Sequence, residues 1–247
     1  MTASQMISVT GLHKAFGKQT VLDGIDLDVP AGAVFALLGP NGAGKTTMVE
    51  ILTTLVGFDD GEVRIDGHDI RRDPSSVRRL IGVTGQFSAV DGLLTGRENL
   101  RLIADLRHLG RVAGPAKVDE LLERFDLVEA ADKPAVTYSG GMKRRLDLAM
   151  TLIGDPKLIF LDEPTTGLDP RSRRTMWEII RKLVADGGVT IFLTTQYLDE
   201  ADQLADRIAL LDRGVLVATG TATELKNSVG AESTLDDVFF ALTGGIR

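Results

Sequence analysis

The sequence predicts an α/β protein built on a parallel sheet, with an antiparallel β region and an inserted helical segment. Three observations support this fold class. An apolar run over residues 34–38 leads through a glycine-rich loop into a helical pattern, a second apolar run over 158–161 ends in two carboxylates, and residues 88–137 hold helix formers without a strand pattern. Apolar strands that alternate with helices are typical of a parallel sheet buried on both faces.

Composition narrows the classes of function. The chain has 247 residues and a net charge of −7 with no long basic block, so we expect no nucleic acid as its ligand. It has no cysteine, which excludes disulfides and thiolate metal sites and fits a reducing compartment. No signal peptide pattern is present, and no apolar run approaches the roughly 20 residues that span a bilayer. Any membrane role is therefore expected to depend on a partner.

Three alternating segments flank the glycine-rich loop. Residues 6–9, 24–29 and 62–66 alternate apolar and polar side chains, as half-buried antiparallel strands do. Between the first two, Phe16 precedes a glycine turn. Its ring can stack on an adenine or pack in a core as an ordinary strand aromatic, and the local sequence favours the second.

The loop that follows the first apolar run matches the phosphate-binding pattern G-x-x-x-x-G-K-[ST]. Its glycines let backbone amides surround an anion, and the next helix adds the partial positive charge of its N-terminus. Lys45 would bring its charge to the β- and γ-phosphates, while the Thr46 hydroxyl would coordinate Mg²⁺. Glycine-rich turns are common between strands and helices, but here the spacing and both flanks predict nucleotide binding. Apolar spacing predicts a helix through Val56, ended by Gly57, with one buried face that includes Leu55.

The segment after the antiparallel strands is predicted to be mostly helical. Residues 79–84 read as one more buried strand. Thr95 and Glu98 then form the pattern of a capping box that opens a helix to about residue 109. We interpret residues 88–137 as an inserted helical subdomain.

A serine and two glycines open the next amphipathic helix, and three cations, at positions 143–145, follow in its first turn. Cations are disfavoured there by the helix dipole. A solvated basic face is the usual explanation, and an anion bound at this N-terminus is the alternative, since Ser139 and the glycine amides would point to it as well.

The apolar run 158–161 ends in Asp162 and Glu163. Charge at the carboxyl end of a buried parallel strand lies at the mouth of the sheet, beside the phosphate loop. Asp162 would hold Mg²⁺ and Glu163 would orient or deprotonate the attacking water. Such a pair can also be a solvated strand cap, but the phosphate loop favours the catalytic interpretation. Further strands are predicted at 190–194 and 207–211, and 215–218 completes a hairpin.

Taken together and in this order, the motifs resemble those of the ATP-binding subunit of an ATP-binding cassette (ABC) transporter, over nearly the whole chain. The serine–glycine pair before its helix is the specific motif, because many ATPases lack it. Residues 138–142, 193–202 and 235–244 are most similar to the daunorubicin/doxorubicin-resistance ATPases. The resemblance implies a P-loop NTPase fold with a RecA-like core, an ABC domain over 1–230 and a short helical tail over 231–247.

The resemblance also implies a role for each matching residue. Catalysis would fall to Glu163, Gln196 and Lys45, and Mg²⁺ would be held by Thr46, Gln86 and Asp162. The residues expected to bind ATP are Phe16, which now matches the family's adenine-stacking aromatic, together with Gly39, Pro40, Asn41, Gly42, Ala43, Gly44, Lys45, Thr46, Thr47, Gln86, Ser139, Gly140, Gly141 and Asp169.

The implied function is the motor subunit of an exporter that drives efflux of a drug-like or lipid-like substrate. Its expected partners are a separate membrane permease and a second copy in a head-to-tail homodimer, at the cytoplasmic face of the membrane. A soluble ABC ATPase acting on nucleic acid, ribosomes or protein assembly is the alternative. Such proteins tend to have two cassettes, long coiled coils or a basic face, and this sequence shows none of these.

Two departures from the family pattern stand out. Most members carry histidine where this chain has Gln196, which can donate a hydrogen bond but cannot become cationic. The drug-resistance relatives share this glutamine, and they usually have a longer segment where residues 221–234 lie here. Beyond that segment, one face of a predicted tail helix holds Leu235, Val238, Phe239 and Leu242, and we expect this helix to dock on the cassette or on its twin.

Overall fold

The computed structural model describes residues 4–85, 89–230 and 232–244. Its strands are β1 Gln5–Phe16, β2 Gln19–Pro30, β3 Val34–Leu38, β4 Asp60–Ile65, β5 His68–Asp69, β6 Ile81–Thr84, β7 Leu158–Asp162, β8 Thr190–Thr195, β9 Arg207–Asp212 and β10 Val215–Gly220. Its α-helices are α1 Lys45–Leu52, α2 Pro74–Leu80, α3 Gly96–Leu106, α4 Gly110–Arg124, α5 Gly140–Thr151, α6 Pro170–Gly187, α7 Leu198–Leu204, α8 Ala222–Val229 and α9 Leu235–Thr243. Short 3₁₀ turns cover Val128–Ala130, Ala135–Thr137 and Leu152–Gly154.

The central sheet has the order β10-β9-β3-β8-β7-β6. Strands β9, β3, β8, β7 and β6 run parallel, and β10 joins the edge as an antiparallel hairpin. Along β3, Val34 and Ala36 face one hydrophobic core while Phe35 and Leu37 face the other, which explains the uninterrupted apolar run. The carboxyl ends of β3, β7 and β8 meet at one edge, so the phosphate loop and the two carboxylates are neighbours.

The second sheet is antiparallel, in the order β2-β1-β4-β5. Its inward side chains share one core with β3, β7 and α1, where the Phe35 and Phe192 rings stack with centroids 5.6 Å apart. The predicted α/β architecture, with its parallel core and antiparallel β region, is confirmed.

The elements described between residues 89 and 137 are helical. Helix α3 begins with the predicted capping box, in which the Thr95 hydroxyl accepts from the Glu98 amide and the Glu98 carboxylate accepts from the Thr95 amide. Helix α9 buries Leu235 and Val238 in the core that also contains α7 and α8. The tail helix therefore docks on its own cassette. No helix in the described ranges is both long and apolar enough to cross a bilayer.

Two predicted boundaries are wrong. Helix α1 ends at Leu52, because the Thr53 hydroxyl bonds back to the Val49 carbonyl at 2.7 Å and Thr54 takes a φ of 64°. Leu55, predicted to be buried, is 74% exposed. The strand predicted over residues 79–84 begins only at Ile81, since the two residues before it complete α2.

Candidate functional site

A polar cavity of about 240 Å³ opens at the carboxyl edge of the central sheet. The loop after β3 forms one wall and the end of β7 forms the other. The residues that line it are Val21, Asn41, Gly42, Gly44, Lys45, Thr46, Thr47, Asp162 and Glu163. Eight of these nine are residues that the sequence predicted for the site.

The loop conformation depends on Gly44, which precedes α1. It has a φ of 110°, and a Cβ atom at this position would lie 2.9 Å from the Val21 carbonyl oxygen. Gly44 also supplies no side-chain cap to the helix, so the first amides of α1 are left without a side-chain acceptor. An anion at this N-terminus would satisfy them.

Lys45 carries the positive charge of the cavity. Its ammonium donates to the Gly39 carbonyl at 2.8 Å and to the Pro40 carbonyl at 3.1 Å, and it lies 3.8 Å from a Glu163 oxygen. The residue is only 5% exposed. Burial lowers the pKa of Lys45, while the charges of Glu163 and Asp162 act in the opposite direction. A bound phosphate would act as those carboxylates do and favour the cationic form.

Asp162 ends β7 beside the start of α1. One carboxylate oxygen accepts from the Thr194 hydroxyl at 2.5 Å, and the other accepts from the Thr46 hydroxyl at 3.4 Å. The described residues contain no group of three or more carboxylate, histidine or cysteine side chains able to hold a metal. One carboxylate with one hydroxyl is a small donor set, and Mg²⁺ characteristically completes such a set with water and phosphate oxygens.

Glu163 follows directly and has a left-handed backbone, with a φ of 49°. Its amide donates to the Thr194 carbonyl at 3.1 Å and to the Thr194 hydroxyl at 3.2 Å. One carboxylate oxygen accepts from the Thr166 hydroxyl at 3.2 Å, and the other faces Lys45. The side chain is thus directed into the cavity with one oxygen already bonded.

A second group of predicted residues lies elsewhere, between the starts of α5 and α6. Ser139 caps α5 by accepting from the Met142 amide at 3.2 Å, and Asp169 caps α6 by accepting from the Ser172 amide at 3.0 Å. The first turns of the two helices approach closely, since a Cβ atom on Gly141 would lie 2.6 Å from the Ser172 hydroxyl oxygen. This group shares no lining residue with the polar cavity.

The remaining predicted residues that the structure describes do not line the polar cavity. Gln196 follows β8 two positions after Thr194, and its side chain is partly exposed. Phe16 ends β1, is 50% exposed and lies under the Lys14 ammonium, 4.7 Å from the ring centroid, so the buried-core interpretation of this aromatic is wrong. It is not among the cavity-lining residues. Gln86 lies outside the described residues.

Sequence reasoning missed two polar side chains that lie at this edge with little exposure, Thr194 and Arg144. Thr194 bonds both Asp162 and Glu163, and its position at the end of a predicted strand was the available signal. The Arg144 side chain is only 12% exposed and Arg145 only 16%, so the solvated-face interpretation of the cations at 143–145 is wrong for both. Their charges turn into the protein, towards backbone carbonyls.

Comparison with known proteins agrees with this geometry. The ABC transporter family model matches residues 22–166. The daunorubicin resistance ATP-binding protein of Streptomyces coeruleorubidus is 53% identical over 93% of this chain and 72% of its own length. A solved ATP-binding subunit of an ABC transporter superposes with a TM-score of 0.84 at 28% identity, covering 96% of this chain and 99% of its own.

A second solved structure, a dimeric ATP-binding cassette in a post-hydrolysis state with ADP and phosphate, gives a TM-score of 0.78 at 26% identity over 87% of this chain and 98% of its own. The polar cavity, the fold and the family match agree on an ATP-hydrolysing subunit. The chain therefore belongs to the ABC transporter family and is one of its ATP-binding subunits.

Proposed function

We propose that this chain is the motor of an exporter that moves a drug-like or lipid-like molecule through a separate membrane permease. The observation that carries the proposal is the polar cavity, which gathers Lys45, Thr46, Asp162 and Glu163 at one sheet edge. The relative from Streptomyces, named for daunorubicin resistance, supports a hydrophobic drug as the class of cargo. The similarity to this relative favours transport over action on ribosomes or nucleic acid.

The loop residues 39–47 are proposed to bind the phosphates of ATP. The amides that begin α1 have no side-chain acceptor, and Lys45 lies within the cavity wall. Its ammonium would exchange the Gly39 and Pro40 carbonyls for β- and γ-phosphate oxygens. Phe16 is exposed at the end of β1, as a ring that stacks on adenine must be.

Thr46 and Asp162 are the residues that would hold Mg²⁺, with Gln86 added by family resemblance alone. Their oxygens are within 3.4 Å of each other, and the site needs few protein ligands because phosphate and water supply the rest. The ion would neutralise charge on the phosphates. The Thr194 hydroxyl would fix the orientation of Asp162, because it occupies the other carboxylate oxygen.

Glu163 is proposed to orient and deprotonate the water that attacks the γ-phosphate. Thr166 holds one of its oxygens and leaves the oxygen near Lys45 for the water. Gln196, at the neighbouring strand end, is proposed to donate a hydrogen bond to the γ-phosphate.

The partner proposal is a second copy of the chain, related head to tail. Within one copy the group at Ser139, Gly140, Gly141 and Asp169 forms no part of the polar cavity, so a role for it in ATP binding requires the cavity of another copy. The dimeric cassette with ADP and phosphate is consistent with such an assembly. The helical subdomain at about 88–137 is proposed to couple the chain to the permease. This coupling would locate the chain at the cytoplasmic face of the membrane.

The test is to isolate the intact complex with its permease in lipid vesicles and to measure ATP hydrolysis with and without daunorubicin as the probe. We expect stimulated hydrolysis and ATP-dependent accumulation of the drug in inverted vesicles, both lost with Lys45→Ala in the same complex. Co-purification with ribosomes or nucleic acid, with no membrane partner, would overturn the transport proposal.

A further inference from the structure

The backbone at Glu163 needs an explanation. Its φ of 49° is in the left-handed region, which residues other than glycine rarely adopt because their Cβ atom crowds the backbone. Such a conformation persists only where surrounding contacts determine it, and these residues cluster at functional sites. Contacts at the end of β7 must therefore hold Glu163 in its left-handed conformation.

The guanidinium of Arg144 contacts the carbonyl groups on both sides of Glu163. Its Nη2 donates to the Asp162 carbonyl at 3.1 Å, and its Nε donates to the Pro164 carbonyl at 2.9 Å. The Asp162 carbonyl belongs to the peptide bond that enters Glu163, and the Pro164 carbonyl lies one residue beyond it. The planar, rigid fork thereby fixes the distance between two points that bracket the left-handed residue.

The same guanidinium also reaches the neighbouring strand. Its Nη1 donates at 2.9 Å to the carbonyl of Gly85, which follows β6. Three carbonyls from two strand ends thus share one cation. A lysine ammonium has three donors on a single atom and cannot spread them over such separated acceptors.

Arg144 is buried with a partner of opposite charge. Its side chain is 12% exposed, and Asp147, at 4% exposed, lies 3.4 Å from its Nη1. Asp147 in turn accepts from the Ala89 amide at 3.1 Å. Burial lowers the pKa of Arg144, against the charges of Asp147 and Asp162, and raises the pKa of Asp147. A buried cation of this kind is retained only where most of its donors are satisfied.

We propose that Arg144 is a positioning residue that holds Glu163 in the backbone conformation required for ATP hydrolysis. The inference rests on the proposed role of Glu163. Because Arg144 belongs to α5, the helix that Ser139 caps, it also connects the group proposed to meet the second copy with the strand end where hydrolysis would occur. Arg144 itself does not line the polar cavity and has no proposed contact with ATP.

The first test compares Arg144→Lys and Arg144→Met with wild type, using the full chain. Misplacing a catalytic group by about 1 Å costs about 10²-fold in rate, so kcat should fall by about that factor for Arg144→Met. We expect the KM for ATP and the affinity for a non-hydrolysable ATP analogue to stay within about twofold, because the phosphate loop is untouched. Arg144→Lys keeps the charge and should lose most of the rate as well.

Arg71→Met is the matched control. The Arg71 guanidinium also donates to a backbone carbonyl, that of Phe58 at 2.6 Å, and lies 3.7 Å from the centroid of the Phe58 ring. Arg71 lines neither the polar cavity nor the pocket at Ser139, so its loss should lower the melting temperature while leaving kcat within about twofold of wild type. An equal loss of kcat in both variants would mean that Arg144 acts only on stability and would overturn the inference.

A double-mutant cycle separates this inference from the role of Glu163. If Arg144 acts through Glu163, Arg144→Lys/Glu163→Gln should hydrolyse ATP in single-turnover assays no more slowly than Glu163→Gln alone. Multiplicative losses would overturn the inference and leave Glu163 its role. A Glu163→Gln single variant that hydrolyses ATP at the wild-type rate would instead remove the proposed function of Glu163, whatever Arg144 does.

Discussion

Helices α1 and α5 both begin at a glycine-rich turn, yet their N-termini are built in opposite ways. The residue before α1 is Gly44, which offers no side-chain cap, and the first residue of the helix is a buried lysine. The residue before α5 is Ser139, whose hydroxyl already accepts from the Met142 amide, and two of the cations that follow turn into the protein. The amides that begin α1 have no side-chain acceptor and can bind an anion, whereas one amide of the first turn of α5 already donates to a side chain.

The difference shows how similar local patterns acquire different roles. At α1, the cation and the uncapped amides meet the carboxylates of β7 in one cavity, so phosphate and metal chemistry can be assembled within a single chain. At α5, Ser139 and Gly141 line a separate pocket with Ser172, whose amide donates to the Asp169 cap of α6, and this pocket contains neither of those carboxylates. The group at Ser139 can therefore contact a nucleotide only when a second copy of the chain supplies it, and this is the assembly that we propose.

Glu163→Gln gives the largest expected effect. The amide retains the size of the carboxylate but cannot accept a proton from water, so hydrolysis should fall by about 10²- to 10⁴-fold, the usual loss for a catalytic base. Binding of ATP should persist, because Lys45, Thr46 and Asp162 remain in place to contact phosphate and Mg²⁺. Removing one negative charge near the phosphates should also favour an ATP-dependent dimer, which gel filtration would detect.

Adding Ser139→Arg to Glu163→Gln tests the α5 half of the comparison. A large cation at this exposed cap would occupy the space where the partner's nucleotide is expected, so the trapped dimer should disappear. ATP binding to the separated subunit should remain, since Ser139 is absent from its own cavity. A dimer that survives this change would remove the head-to-tail arrangement.

Lys45→Ala addresses the α1 half. Hydrogen bonds to charged groups contribute about 1.5–3 kcal/mol, so the affinity for ATP should fall by about 10- to 100-fold. Lys143→Ala is the matched control, because it removes a lysine from the first turn of α5 instead. Fluorescence titration at concentrations where the protein is monomeric should show no change for the control. Equal losses in both variants would mean that the two N-termini bind ATP alike.

Thr194→Val tests whether the carboxyl end of β8 helps Asp162 to bind Mg²⁺. The change removes the hydroxyl that donates to Asp162 at 2.5 Å while keeping the volume of the side chain. We expect the Mg²⁺ concentration needed for half-maximal ATP hydrolysis to rise about tenfold, in line with one lost bond to a charged group. Thr190→Val is the control, since Thr190 is equally buried in β8 but bonds the Gly32 amide at the other end of the strand.

Much of this architecture could be predicted because its determinants are local. An apolar run, a glycine-rich loop and a strand ending in two acids are short patterns, and the order of the parallel strands brings them to one edge. The capping box at Thr95 and Glu98 was equally local and is present. The end of α1 was not predicted, since it depends on the Thr53 hydroxyl competing for a backbone carbonyl and on the left-handed Thr54.

The contacts of Arg144 could not be predicted, for a different physical reason. In the sequence, three consecutive cations look like a solvated face. Arg144 reaches carbonyls 18, 20 and 59 residues away along the chain, so its burial appears only when three segments have come together. A lone charge is expensive to bury, and sequence alone does not show which acceptors will offset that cost.

Ser139→Ala gives the smallest expected effect and tests the contrast between the two helices directly. Loss of a serine cap typically costs about 1 kcal/mol, which corresponds to about 2–4 °C in melting temperature for a protein of this size. Ser139→Gly should cost only a few tenths of that energy, because glycine is tolerated before a helix, as Gly44 is before α1. Both variants should be melted without ATP, so that contacts to a second copy do not contribute. Equal melting temperatures for wild type and Ser139→Ala would mean that the 3.2 Å bond to the Met142 amide does not stabilise α5. The two N-termini would then differ in their arginines and in Lys45, but not in their caps.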